Sequence, residues 1–115
     1  MLDTEYIKTL KEKVISDTFF SFENINSKHK GIIFSNYKKI IAIEDSLNNH
    51  MVKIKIQKDE ISKNLLHDNS KVRAIFSKYI NMLNEVEEIL FNKKDELSSM
   101  KNVLIENFSS LLEEV

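Results

Sequence analysis

The sequence predicts an all-α fold: an antiparallel helical bundle or long helical hairpin with coiled-coil-like heptads, in a single domain over residues 1–115. Three observations carry this. The chain has one glycine and no proline, so nothing in it routinely breaks a helix. From Tyr37 to Val103 a three-then-four step meets apolar side chains almost throughout. It is interrupted only at Glu44, Lys58, Asp68, Lys93 and Glu96. Such spacing draws an apolar stripe along a helix and requires another helix to cover it.

Taken in order, Asp3 and Thr4 are N-cap candidates for a first helix, whose apolar face is Tyr6, Ile7, Leu10, Val14 and Ile15. The aromatic run Phe19-Phe20-Ser21-Phe22 follows. Residues 24–31 hold the turn-formers Asn24, Asn26 and Ser27 and the only glycine, Gly31, and are expected to form a loop.

Residues 31–57 admit two readings. As helix, they continue the heptad, with Asn48-Asn49 as a potential break. As strands, Ile32-Ile33-Phe34, Lys39 to Ile43 and the alternating Val52-Lys53-Ile54-Lys55-Ile56 form a small β-meander, making the fold α+β with C-terminal helices. The longer repeat and the lack of turn glycines favour helix.

Residues 67–70 are the next expected reversal, with Asn69 or Ser70 capping a helix from Lys71. The apolar stripe then widens through Val72, Ile75, Phe76, Tyr79, Ile80, Met82, Leu83, Val86, Ile89 and Leu90, which suits a helix touching two neighbours. Residues 92–96 are polar, and either bend the chain into a fourth helix or form a solvated patch on one long helix. Leu97, Met100, Val103, Leu104, Phe108, Leu111 and Leu112 line the last segment. These two stripes exceed what a short first helix can cover. A homodimer or a stable hetero-complex is therefore expected unless residues 32–66 fold back along both.

Composition narrows the chemistry. Charged residues are 30% of the chain and sum to −1, with no cysteine. Disulfides and thiolate chemistry are excluded, and a reducing compartment fits. No apolar run is long enough to span a membrane. Residues 1–5 lack the order of a signal peptide, so the cytoplasm is the expected location. Charge is uneven: residues 53–78 carry seven bases against three acids, and from Glu85 onward eight acids meet three bases. Pairing across antiparallel helices accounts for this pattern.

No site for catalysis is apparent. His29, His50 and His67 are far apart in sequence and fall near expected turns, where solvent-exposed histidines are common; no metal ligation follows. Glu85, Glu87 and Glu88 lack the Glu-x-x-His pairing of di-iron bundles. No serine sits in a Gly-x-Ser-x-Gly elbow, and one glycine cannot build a phosphate loop. The chain is expected to be no enzyme and to need no cofactor or metal.

Two features remain. Phe19, Phe20, Phe22, Ile32, Ile33 and Phe34 do not fit one helical stripe. They either close the end of the core or form a partner interface. Lys28, Lys30, Lys38 and Lys39 surround Phe34 and Tyr37 as a basic patch, where rings could stack bases. Arg73 is the only arginine, and arginine is the residue that forks onto phosphate and guanine, so nucleic acid is the weaker partner.

The expected function is a non-catalytic protein-interaction module, a small helical chaperone or adaptor, or a subunit of a larger assembly. It would bind its own copy or another protein. In length and helical pattern the chain resembles the small all-helical chaperones of type III export systems, without a motif diagnostic of them. The alternatives are a small regulatory inhibitor (an immunity protein, an antitoxin or a phage-encoded blocker of a host enzyme) and a lysine-mediated nucleic-acid binder.

Overall fold

A computed structural model describes residues 3–22, 27–66 and 68–112. It contains α1 (Thr4–Asp17), α2 (Lys30–Ser62), a 3-10 turn (Lys63–Leu66) and α3 (Ser70–Leu112), with no strand among the described residues. At about 1.5 Å per residue, α2 and α3 are roughly 50 and 64 Å long. They set the long axis of a body measuring 61 × 21 × 17 Å.

The caps follow local chemistry. Asp3 Oδ1 accepts from the Tyr6 amide at 2.8 Å and starts α1. Asn69 Oδ1 does the same for Lys71 at 2.9 Å and starts α3. The start of α2 corrects the expected loop: Gly31 lies inside its first turn, and His29 is the N-cap, its Nδ1 accepting from the Gly31 amide at 3.2 Å. Residues 24–26 of that loop lie outside the described residues, as does His67.

The β-meander alternative is overturned, since residues 30–62 form one uninterrupted helix. Asn48 and Asn49 do not break it. Both are exposed, where a polar residue of modest helix propensity costs only tenths of a kcal/mol. Residues 92–96 do not bend α3 either. The one non-helical residue inside α3 is Phe108, at φ −135° and ψ 28°.

The core is a row of isoleucine and leucine against a row of leucine. On α2, Ile33, Ile40, Leu47, Ile54 and Ile61 recur every seven residues and are buried. On α3, Leu83, Leu90, Leu97 and Leu104 do likewise. Burying each such side chain contributes roughly 1.5–3 kcal/mol. Two ion pairs define how the rows meet: Lys58–Glu87 at 3.2 Å and Glu44–Lys101 at 3.1 Å. Going back fourteen residues along α2, from Lys58 to Glu44, means going forward fourteen along α3, from Glu87 to Lys101. The helices are therefore antiparallel over two heptads with constant register, and the pairs have opposite polarity. Each pair is partly exposed and contributes at most about 1 kcal/mol, so its main effect is on register.

This hairpin is the arrangement in which residues 32–66 fold back along the apolar stripes of α3. The α3 stripe is covered chiefly by α2, which folds back along it, and not by α1 alone. Within α3 the buried row is 83/90/97/104, whereas Ile75 and Val103, counted in the expected stripe, are exposed at 50% and 45%.

Helix α1 lies in one groove of the hairpin, burying Ile7 and Val14. Tyr6 meets Gln57 near its start and Asp17 meets His50 at its end, so α1 runs antiparallel to α2. Its last turn is closed by Thr18, which is fully buried and whose hydroxyl donates to the Val14 carbonyl. Lys93 Nζ then donates to the Thr18 carbonyl at 3.3 Å, placing a cation at the negative end of the helix.

Candidate functional site

The six residues singled out as an interface do not form one surface. Phe19 projects outward with 71% exposure. Phe20 and Phe22 stack against each other at 5.3 Å between ring centroids and pack on the core from its edge. Lys93 Nζ lies 5.3 Å from the centroid of Phe20, so the ammonium that caps α1 also holds this ring. Ile33 is 1% exposed and belongs to the central row of α2; an open patch cannot include it, because its place in the heptad turns it inward. Ile32 and Phe34 are half-buried on either side of it.

The basic patch is similarly divided. Lys28, Lys30, Lys38 and Lys39 are all exposed. Lys30 Nζ sits 5.5 Å from the Phe34 centroid, and Lys39 Nζ donates to the Ser21 carbonyl at 3.3 Å. Two of the four cations therefore hold neighbouring segments of their own chain.

Two features escaped the heptad count. The first is a largely polar row on α2. Asn36, Ile43, His50 and Gln57 recur every seven residues, and α1 meets the last two. Asn36 and His50 are buried, at 2% and 6% exposure. This corrects the expectation of an exposed turn histidine. His50 lies in mid-helix, where its Nε2 is 3.0 Å from Asp17 Oδ2. Its Nδ1 is buried without a hydrogen-bond partner, as is Gln57 Oε1. Gln57 Nε2 donates to the Tyr6 hydroxyl at 2.7 Å.

The second is an apolar trough on the other side of the Leu47–Ile54 row, where no helix of the described residues lies. A recess of about 360 Å³ is lined by Asn48, Met51, Val52, Lys55, Glu87 and Phe91. Asn48 also lines a smaller recess with Glu44, Leu47 and Lys94, so the trough continues along the hairpin. Val52, Ile56 and Phe91 are exposed at 58%, 53% and 46%.

The sequence did carry a signal for this surface. In a helix, Val52 and Ile56 are four residues apart and share a face, while Ile54 between them points the opposite way. Ile54 is fully buried, so the alternation that suggested a strand consists of one core residue and two surplus apolar residues. Apolar residues left over after the core is filled are candidates for contact with something else.

Among the described residues, no group of three or more His, Cys, Asp or Glu side chains could hold a metal ion, and no helix is long and apolar enough to cross a membrane. The chain matches no protein-family model, no curated protein and no solved structure.

Proposed function

We propose that the chain is a non-catalytic protein-interaction module, a small helical chaperone or adaptor, that receives one amphipathic helix of a partner protein in the open trough. The observation that carries this reading is the exposure of Val52 and Phe91 beside Met51, on a molecule whose core is already complete without them. A precedent for the occupant exists inside the molecule. The hairpin has two grooves, and α1 fills the other with Ile7, Leu10 and Val14. A helix presenting apolar residues at three- and four-residue spacing suits the trough in the same way.

Charge describes the occupant further. Lys55 and Lys94 stand beside the trough, exposed and without an ion pair among the described residues. A partner helix with acidic residues flanking its apolar stripe meets both. Phe91 is the expected anchor, because a large ring entering an apolar contact dominates interface energetics.

Val52→Asp and Phe91→Asp test the reading, since each replaces an exposed side chain. Both variants are expected to keep the wild-type melting temperature and helical circular dichroism. The partner captured by wild type from native lysate should be crosslinked through position 48, which lines the trough and is exposed, by a photoreactive side chain and lost in both variants. Capture unchanged in both, or crosslinks only from distant faces, would refute it. Light scattering on the wild-type chain separates a second copy from a different protein as the source of that helix.

A further inference from the structure

The two ion pairs that set the register of the hairpin also bound the trough. Glu44 and Glu87 each line one of its recesses, and each is held from the opposite helix, by Lys101 at 3.1 Å and by Lys58 at 3.2 Å. The pairs lie fourteen residues apart, roughly 21 Å along α2. Midway between them, seven residues from either pair, the same register sets Met51 of α2 against Lys94 of α3. Glutamate, methionine and lysine on α2 thus meet lysine, lysine and glutamate on α3. The central rung is the one without a carboxylate.

That substitution has two effects. The half-buried Met51 side chain leaves the middle of the trough apolar, continuous with the exposed Val52 and Phe91. Lys94 stays exposed beside it, with no ion pair among the described residues. Glu44 shares a recess with Lys94 but is engaged by Lys101. A carboxylate delivered on an apolar helix would fill the trough and complete the rung in one contact, in surroundings where docking excludes water and strengthens the attraction.

The chain's own charges bear on where that carboxylate comes from. Face to face, two copies would place Lys55 and Lys94 of both troughs in one interface, while Glu44 and Glu87 are already paired. Like charges brought together in this way disfavour the complex. Any other seating of a copy is head-to-tail and grows rings or filaments.

We propose, resting on the interaction reading above, that the occupant is a helix of a different protein, about four turns long, with an aspartate or glutamate midway along its apolar stripe. Lys94 is the residue that selects it.

Three measurements test this. In thermal melts, replacing Lys94 by glutamine should lower the melting temperature more in a Met51→Glu background than in wild type, because the new carboxylate completes the rung; equal effects would overturn the pairing of 51 with 94. Light scattering should give the same mass for wild type and Phe91→Asp. A larger wild-type assembly that Phe91→Asp dissolves would make a second copy the occupant and overturn the choice of partner. Finally, the stretch of partner crosslinked through position 48 is sequenced and made as a synthetic peptide. It should carry an acid among apolar residues at three- and four-residue spacing and bind Lys94→Glu at least tenfold more weakly than wild type. Exchanging that acid for lysine should restore binding to Lys94→Glu. Binding lost in Phe91→Asp but unchanged in Lys94→Glu would keep the trough and overturn the role of Lys94. Binding unchanged in Phe91→Asp, or no crosslink at all, would refute the trough itself and this proposal with it.

Discussion

Alanine substitution along Val52-Lys53-Ile54-Lys55-Ile56 puts the helical assignment of α2 to its strictest test. The three apolar residues share one face if the segment is a strand, and fall on two faces if it is a helix. In the helix, Ile54 is fully buried between Leu47 and Ile61 of its row and faces the Leu90 level of α3. Ile54→Ala removes buried methylene and methyl groups and leaves a partly relaxed cavity, which costs about 2–5 kcal/mol. The better helix propensity of alanine returns only about 0.4 kcal/mol. Val52→Ala and Ile56→Ala delete side chains that are 58% and 53% exposed, so the small burial loss and the propensity gain nearly cancel, leaving each within about 0.5 kcal/mol of wild type. For a chain of this size about 1 kcal/mol moves the melting temperature by about 4 °C, so Ile54→Ala should melt roughly 8–20 °C lower and the other two within about 2 °C. Urea denaturation followed by circular dichroism measures all three. Equal losses at 52, 54 and 56 would refute the helix, and a small loss at 54 alone would refute the proposed packing of the row.

Three further outcomes follow from the same geometry. Glu44→Lys and Lys101→Glu should each destabilise the hairpin by about 0.5–1 kcal/mol, and the double exchange should recover most of that loss in a urea-denaturation cycle, because the pair closes at 3.1 Å with its side chains only about a quarter exposed. Phe20→Ala should cost about 2–3 kcal/mol, since the ring packs on the core under the Lys93 ammonium, while Phe19→Ala should change the melting temperature by less than 2 °C because its ring is 71% exposed. Asp17→Ala leaves the buried His50 ring with neither nitrogen paired and should cost about 1–3 kcal/mol; after His50→Leu the same change should cost far less, which a double-mutant cycle reads directly.

What was legible in the sequence was whatever a period of seven specifies. The row of Ile40, Leu47, Ile54 and Ile61 lay within the counted stripe, and the near absence of glycine and proline correctly favoured helix at 31–57 over strands. The α3 row was harder to phase. Its stripe is wide enough that several frames fit, and which frame turns inward depends on where α2 and α1 lie. The neighbours select 83, 90, 97 and 104 and leave Ile75 and Val103 half exposed. Cover is hard to read for a related reason. A pattern shows that a face needs burying but not which segment buries it, and here the chain's own α2 does most of the work. The buried polar positions are not legible in the heptad, because His50 and Gln57 look like surface residues until each is paired with the element it faces. Asp17 and Tyr6, distant in sequence, supply those pairings.

The two grooves of the hairpin differ in a way that bears on specificity. The groove under α1 contains His50 and Gln57 among its apolar contacts, and each polar group restricts how α1 can sit. A shift of one turn along α2 would separate Tyr6 from Gln57 and Asp17 from His50 together, leaving buried polar atoms unpaired. That groove is thus built to accept its own helix in one register. The trough on the other side combines Met51, Val52 and Phe91 with charges only at its rim. Apolar contacts are non-directional, and the flexible Met51 thioether adapts to varied shapes. On the proposed reading, such a surface would accept a helix without prescribing its register, leaving Lys55 and Lys94 to orient it by charge. The same hairpin therefore fixes the register of its own first helix by hydrogen bonds beside the buried Ile7 and Val14, whereas contact in the second groove, if the proposed partner helix docks there, would be mainly hydrophobic, an arrangement that suits an internal helix that stays and a partner that can leave.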